Sequence, residues 1–524
     1  MAFSFAIKIC QKFSNFFKIS KNLQAIAFGC LLTLAFAPFN FWPALFCSVG
    51  YIFFLLNNVE SKKQAFWLGF CFAFGFFISS IYWISASLLI DAKQFAWLIP
   101  FAITLIPALL SLYYALSFLV FFLVIKKITL NIWQKCLLFS ALWLASEGLR
   151  ATLFSGFAWN LLGYISLSMP YIAQTADLFG VYGISFLLCF CSFLPFVLFL
   201  KKKKKEHWQY IVVALFVLLV SAIYGYVRLH QTKSGESKKW QFRLVQANIP
   251  QSAKWEEEDK INNLNKHLKL SQNNDHLNAV IWPETAVPFV ISSLNKEQLQ
   301  KALNSAIPPA GSLISGLVYV DYQNSDLQIF NSAFNLNQQG IQLYHKHHLV
   351  PFGEYVPLQK YLNFLFLSEE INKITGGAVS FSQGLGPQTL LGNDFTFSPL
   401  ICYEVIFGTQ IINRNKLPDI LINLTNDGWF GSTIGPYQHL AHAQMRAIEY
   451  RLPMLRVAGT GISANIDEYG NILNQIPLQT EGFLDVVVQK SQLHSVYAKF
   501  GLLPFSILLL ILFCLMIKIK NVIN

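Results

Sequence analysis

Charge is scarce in this chain. Only 13% of its 524 residues are Asp, Glu, Lys or Arg, where a soluble domain carries about a quarter. That shortage, with 54% hydrophobic residues, excludes an ordinary soluble globular protein and points to a membrane protein. Acidic residues are scarcer than basic ones, 27 against 39, for a net charge of +12. A basic excess can serve nucleic acid, but position matters more than the sum. The lysines cluster at the ends of apolar segments, as at Lys201 to Lys205, which is how membrane topology signals look. No nucleic-acid motif accompanies them, so no nucleic-acid partner is expected. A cysteine framework is also lacking. The nine cysteines are odd in number and scattered, which argues against a disulfide scaffold or a zinc site. Cys10, Cys30, Cys47, Cys71, Cys136, Cys189, Cys191 and Cys514 lie in or beside apolar stretches and read as small hydrophobes in the bilayer. Cys402 alone stands in a polar part of the chain. No internal repeat and no low-complexity linker is present.

What is abundant is apolar sequence in bilayer-length pieces, with 49 phenylalanines. Helices are predicted near 22–38, 41–57, 65–90, 95–125, 133–150, 171–200, 208–229 and 500–519. Their cores are about 17–25 residues, the length a bilayer requires. Pro38 and Pro43 lie between the first two, so these read equally as a helical hairpin. The Lys-rich N-terminal stretch has no small-residue cleavage site after it and is not read as a cleavable signal peptide. Lysine placement sets the orientation. With the N-terminus inside, Lys8, Lys12, Lys18, Lys21, Lys62, Lys63, Lys126, Lys127, Lys135, Lys201 to Lys205, Lys518 and Lys520 all fall inside. The short outer loops hold only Lys93 and Arg150. The expected organisation is an N-terminal membrane domain over 1–230 with seven spans, an extracytoplasmic domain over 240–490, and a last span within 497–520. The stretch 231–239 is the natural boundary.

The segment 240–490 is polar and loop-rich. Short, partly β-branched runs recur in it: Phe242–Asn248, Ala279–Trp282, Ser312–Val320, Phe397–Cys402, Ile420–Leu424, Leu455–Ala458 and Phe483–Val488. They are bounded by Gly, Pro or Asn and read as strands. Helical patterns at Glu256–Leu270, Lys296–Ser305 and His439–Arg451 alternate with them, which predicts a layered α/β domain.

Three motifs carry chemistry. Ile281–Thr285 (IWPET) places Glu284 just past a strand. His345–Pro357 (HKHHLVPFGEYVP) contains Lys346 and Glu354. Pro399–Glu404 (PLICYE) runs a strand into Cys402. Strand ends are where α/β folds hold reactive groups on a rigid base. A cysteine nucleophile needs a base and an oxyanion donor. Glu284 can take the thiol proton and return it to a leaving group, and Lys346 can stabilise the oxyanion by charge. Glu354 and Glu404 can orient these groups or bond to substrate. Spacing alone does not bring the three together. Taken singly, Cys402 reads as a buried core residue and Lys346 as a surface lysine. His345, His347 and His348 lack a metal-ligand partner pattern and read as channel or surface residues. Trp255 and Trp429 read as core or as lipid-contacting aromatics, and Arg150 as an interfacial anchor.

Together the motifs resemble the nitrilase (carbon–nitrogen hydrolase) superfamily, whose Glu–Lys–Cys triad sits on an αββα sandwich. A nitrilase-like domain placed before the last of eight membrane helices resembles the bacterial apolipoprotein N-acyltransferase family over nearly the whole chain. Gln246–Gln251 (QANIPQ) with Trp255, WPET, Phe330–Ser332 (FNS), the Lys346–Pro357 segment, CYE and Asn423–Phe430 (NLTNDGWF) carry that resemblance. Ala247 stands where proline is commoner. The resemblance implies Glu284 as general base, Lys346 as oxyanion lysine, Cys402 as nucleophile and Glu354 as support for the lysine. It implies Trp255, Tyr403 and Glu404 at the site or its lid, Asn331 near the substrate, and Arg150 near the lipid entrance. It further implies ping-pong transfer of a fatty acyl chain from a phospholipid, through a Cys402 thioester, to the α-amine of a diacylated apolipoprotein. The setting would be the inner membrane, with the catalytic domain facing the periplasm. No cofactor or metal is implied, and a monomer is expected. The triad alone equally supports a membrane-anchored amidase or nitrilase acting on small amides.

Overall fold

The structure is a computed structural model, and it describes residues 20–198, 205–231, 237–323, 326–355, 357, 380–493 and 495–512. The N-terminal lysines before residue 20, Lys201 to Lys204, most of the 231–239 boundary and the far end of the last apolar segment lie outside the described residues. The chain divides into two compact units. One holds Met1–Ser85, Leu98–Gln231 and Phe500–Asn524; the other holds Ala86–Trp97 and Thr232–Lys499.

The first unit is helical. Its main helices are α1 (Lys21–Thr33), α2 (Pro43–Asn57), α3 (Lys62–Ser80), α4 (Ile99–Lys127), α5 (Ile132–Thr152), α6 (Ala176–Cys191) and α7 (Lys205–Leu229). Local chemistry sets their starts. Ser61 accepts a hydrogen bond from Gln64 N at the head of α3, and Asn131 and Gln134 form a reciprocal capping box at the head of α5. Among the described residues, four segments are long and apolar enough to cross a membrane: Ala92–Lys127, Ile132–Ser155, Ala176–Leu198 and Lys205–Leu229. Pro43–Asn57 and Leu503–Leu512 are apolar but shorter. The apolar run expected over 65–90 ends as a helix at Ser80, and the next long helix starts at Ile99. Between them, Ala86–Trp97 groups with the second unit.

Small residues let the helices approach closely. A Cβ on Gly29 of α1 would fall 2.0 Å from the Phe72 oxygen of α3, and one on Gly75 would fall 2.2 Å from the Ile26 oxygen. One buried ion pair joins two of these helices. Asp177 of α6 lies 3.3 Å from Arg228 Nε of α7 and accepts from Tyr224 Oη at 2.7 Å.

The second unit is built on two sheets. The first contains β1 (Lys239–Gln246), β2 (Ala279–Ile281), β3 (Val290–Ser292), β4 (Ser312–Gln323), β5 (Asp326–Asn337), β6 (Gly340–His345) and β13 (Gly482–Gln489). Its order is β13-β1-β2-β4-β5-β6, with β3 also on β4. The second contains β7 (Leu390–Leu391), β8 (Thr396–Ile401), β9 (Ile420–Thr425), β10 (Met454–Ala458), β11 (Ser463–Ile466) and β12 (Ile472–Ile476), in the order β12-β11-β10-β9-β8-β7. The strands pack face to face because their apolar positions alternate. Trp240, Phe242, Leu244, Ile281 and Ile314 from one sheet meet Phe397, Ile401, Ile422, Leu424 and Val457 from the other in one buried core. The opposite face of the first sheet, with Val245, Val280, Leu313 and Phe334, is covered by α8 (Lys260–Leu270) and α9 (Lys296–Leu303) through Leu264, Leu268, Leu299 and Leu303. Helix α10 (Gly435–Tyr450) packs on β10 of the second sheet. The order of layers is therefore helix, sheet, sheet, helix.

Candidate active site

Three strand ends supply the three motif residues. β2 runs parallel to β1 and β4, and the chain leaves its end through Trp282 and Pro283 to Glu284. A Cβ on Gly316 of β4 would sit 2.3 Å from Thr285 N and 2.7 Å from Glu284 Cα. Only glycine lets the strand lie so close to this turn. Thr285 itself has φ +45°, a left-handed conformation that favours glycine. β6 ends at His345, and the Lys346 amide donates to the Asn331 carbonyl at 2.9 Å. β8, parallel to β9, ends at Ile401, and Cys402 opens a short 3-10 turn over Cys402–Ile406 with φ +49°.

These residues meet. Lys346 Nζ lies 2.8 Å from Glu354 Oε1 and 3.8 Å from Glu284 Oε1. Asn331 Nδ2, from β5, donates to Glu284 Oε1 and to Glu354 Oε1, both at 2.8 Å. The second Glu354 oxygen accepts from Val350 N at 2.8 Å. Lys346 is 1% exposed, so this ammonium is held by the Glu354 and Glu284 carboxylates rather than by water. Glu284 Oε2 has no hydrogen-bond partner among the described residues. It is the oxygen left to accept a proton.

The electrostatics follow from burial and pairing. Burial pushes the Glu284 carboxyl above its ordinary value; Lys346 opposes this, Glu354 adds to it, and the Asn331 bond opposes it. Burial would lower the Lys346 pKa, but Glu354, then Glu284 and Cys402, outweigh it and hold the ammonium charged. The Cys402 thiol is pushed up to about 12, first by burial and then by Glu284. Lys346, the Thr425 side chain and the Asn426 backbone amide act in the other direction. The resting sulfur is thus a thiol, not a free thiolate. Proton transfer to Glu284 must accompany attack, which is general-base catalysis.

Behind Cys402 lies a buried network that spacing did not single out. His439 of α10 has Nδ1 2.8 Å from Asp427 Oδ1 and Nε2 3.2 Å from the Cys402 carbonyl oxygen. Arg456 of β10 reaches Asp427 Oδ2 at 2.6 Å and Asn423 Oδ1 at 2.5 Å. Burial would raise the Asp427 pKa, but Arg456 and His439 outweigh it and hold it at about 2. A left-handed backbone at a non-glycine residue costs about 1–2 kcal/mol, and the bond to the Cys402 carbonyl offsets part of that. Two sequence features bear on this network: Asn423 and Asp427 lie in the Asn423–Phe430 motif, and Arg456 stands within the apolar run Leu455–Ala458, where a charge inside a buried strand has to be paired.

The supporting residues divide. Glu354 and Asn331 touch the triad. Glu404 does not spend its oxygens there. Oε1 accepts from Tyr344 Oη and His347 N, both at 2.8 Å, and from His348 N at 3.3 Å; Oε2 accepts from Ile401 N at 2.7 Å. It fastens the strand ends that carry Lys346 and Cys402 to each other. Burial raises its pKa, but the His347 contact and the Ile401 amide outweigh that and hold it low. Tyr403 is buried against His348 and Phe407. Trp255 and Trp429 are 39% and 42% exposed, so neither is a core residue. Of the three histidines, only His347 departs from the channel or surface role expected; His348 is half-buried against Tyr403 and Phe407. His347 is buried on Glu404, and His345, half-buried, stacks on Phe330 and bonds Ser332 Oγ at 2.7 Å. Arg150 belongs to the other unit. There it donates to the Phe157 and Trp159 carbonyls, each at 2.7 Å, and holds the loop after α5. Among the described residues no cluster suited to a metal ion occurs.

Comparison with known proteins gives two family matches. Residues 28–194 match the family described as apolipoprotein N-acyltransferase N-terminal domain, and residues 242–498 match the carbon–nitrogen hydrolase family. An apolipoprotein N-acyltransferase of Rhodopseudomonas palustris is 34% identical over 517 residues, covering 95% of each chain. One of Rickettsia prowazekii is 33% identical over 508 residues, covering 95% of this chain and 97% of its own. One of Allorhizobium ampelinum is 34% identical over 485 residues, covering 88% of each.

Proposed function

Because the chain belongs to the apolipoprotein N-acyltransferase family, we propose that it moves a fatty acyl chain from a membrane phospholipid to the α-amine of a diacylated, N-terminal cysteine of apolipoproteins, through a thioester on Cys402. The observation that carries the reading is the shared buried site: Lys346 Nζ lies 3.8 Å from Glu284 Oε1, Glu284 keeps one oxygen without a partner among the described residues, and both groups act on the Cys402 thiol.

The steps balance on these groups. Glu284 takes the thiol proton as sulfur attacks the ester carbonyl. The oxyanion forms beside the Lys346 ammonium, where a fixed charge in a dry site is most effective. As the acyl–oxygen bond breaks, Glu284 returns the proton to the departing lysophospholipid. The acceptor amine then attacks the thioester, its proton passes to Glu284, and the sulfur leaves and takes that proton back. Glu354 and Asn331 hold Lys346 and Glu284 in register throughout. Exclusion of water from the thioester decides between transfer and hydrolysis. The rest of the reading rests on resemblance and lysine placement: eight spans, both termini inside, the catalytic domain facing the periplasm from the inner membrane, Arg150 near the lipid entrance, and a monomer.

The test mixes purified protein, a phospholipid with a labelled acyl chain, and a diacylated lipopeptide with a free N-terminal amine. The label is expected in an amide on the lipopeptide, with lysophospholipid released in equal amount. Release of labelled fatty acid alone, with the lipopeptide unmodified, would mean that water is the acceptor and would refute the transferase reading.

A further inference from the structure

One turn of chain touches both sides of the site. Residues 251–254 follow β1 and close on themselves through Ala253 N to Pro250 O and Lys254 N to Gln251 O. Asn263 of α8 braces the turn by donating to the Ala253 carbonyl at 3.0 Å. Towards the base, Lys254 Nζ donates to the backbone carbonyl of Glu284 at 2.9 Å. Towards the nucleophile, Gln251 Oε1 accepts from Asn426 Nδ2 at 2.7 Å, and the Asn426 amide bonds the Cys402 thiol.

A buried ammonium is a costly way to satisfy one carbonyl, since any neutral donor would do it. Lys254 is only 8% exposed. Burial pulls its pKa down to about 8, while Glu284 and then Cys402 favour its charge. From α8 it faces His267, whose own pKa burial pulls down to about 4, with the Lys254 charge acting in the same direction. The Glu284 carbonyl that Lys254 holds belongs to the peptide leading into Thr285, the left-handed residue of the WPET turn. Glu284 feels Lys346, Glu354 and Lys254 together.

We propose that Lys254 is a positioning residue for acyl transfer: its ammonium fixes the Glu284–Thr285 turn that aims the carboxylate, and its charge favours the ionised base beside Cys402. Resting on the acyl-transfer reading, this adds a second cation to the site, one that works through Glu284 and not on the substrate. The braced turn then sets both walls of the reaction at once, with Lys254 on the base and Gln251, through Asn426, on the nucleophile.

The test is the pH profile of thioester formation in the full-length protein, in one turnover with labelled phospholipid, from about pH 5 to about pH 9. Wild type, Lys254→Met and Lys254→Arg are compared, each checked for folding by circular dichroism and gel filtration. In wild type the acid limb reports ionisation of Glu284. Removing a nearby cation makes a carboxylate harder to ionise, so the Lys254→Met limb is expected to move up by about one pH unit, with the rate recovering to within about tenfold at high pH. Lys254→Arg keeps the charge, and its limb is expected where the wild-type limb lies. A Met variant that is slower at every pH with its limb unmoved marks a merely structural lysine and overturns the proposal. An Arg limb displaced from wild type also overturns it. If the Met variant does not fold, the Arg limb alone decides. A wild type that forms no thioester refutes the acyl-transfer reading itself, and that failure is read before any variant is considered.

Discussion

Glu354→Gln separates the two jobs that Glu354 holds. In the structure its Oε1 and the Glu284 Oε1 each lie 2.8 Å from Asn331 Nδ2, so the two oxygens are no more than about 5.6 Å apart. At an effective dielectric near 20 that separation corresponds to about 3 kcal/mol of repulsion, or roughly two pKa units on the neighbour. The sign is fixed by which form is charged. Glu354 raises the Glu284 pKa, so its neutral replacement lets Glu284 ionise at lower pH. Lys346, released from its 2.8 Å partner, is left with Glu284 at 3.8 Å, and closer pairing there lowers the Glu284 pKa further. The acid limb of thioester formation is therefore expected to move down by about one to two pH units. The plateau should fall about 10–100-fold, because the base is weaker and the oxyanion lysine is displaced. Single-turnover labelling of Cys402 by acyl-labelled phospholipid, measured across pH, reads both quantities. A limb that stays in place or moves up would refute the reasoning, whatever happens to the plateau.

Three further outcomes follow from the same geometry. Glu284→Gln should lower thioester formation by about 10²–10⁴-fold while the circular dichroism spectrum is unchanged; a variant of full activity would remove Glu284 from the mechanism. Alkylation of Cys402 by iodoacetamide in the resting protein should be slow at neutral pH and climb steadily on the alkaline side, since burial and then Glu284 push the thiol up to about 12; fast alkylation at neutral pH would mean a resting thiolate. A cysteine engineered at Lys238 or Lys239, exposed at the head of the second unit, should react with a membrane-impermeant maleimide from the extracytoplasmic side, and reaction only from the cytoplasmic side would reverse the topology.

The reactive residues were legible because strand-then-polar-residue patterns are short and local. Ala279–Ile281 running into WPET and Phe397–Ile401 running into CYE announce a rigid strand with a functional end, and the chain folds that way. The roles of the flanking residues were not legible, since they depend on contacts between segments far apart in sequence. Glu354 and Glu404 look alike in their motifs. Only the fold shows that Glu354 bonds Lys346 while Glu404 is consumed by Tyr344, His347, His348 and Ile401. Lys254 was hidden for the opposite reason: a lysine before an exposed tryptophan in a polar turn reads as surface, and nothing local says that its ammonium turns inward to the Glu284 carbonyl. His439 was hidden in the same way, and Asp427, although inside the Asn423–Phe430 motif, gave no local sign of its partners His439 and Arg456. In the helical unit, hydropathy located the apolar runs but not their ends. Asp91 caps Ala92–Phe95 by accepting from Gln94 N, which breaks what reads as nearly continuous apolar sequence between the third and fourth helices.

The central claim is that Cys402 carries the acyl group. Purified protein incubated with a phospholipid bearing a labelled acyl chain, without acceptor, and then digested and analysed by mass spectrometry, tests it most directly. The account requires one acyl chain on the peptide containing Cys402, released by neutral hydroxylamine and absent from Cys402→Ala. A wild-type protein that acylates lipopeptide while its Cys402 peptide stays unmodified, or a Cys402→Ala protein that still transfers the chain, would contradict it.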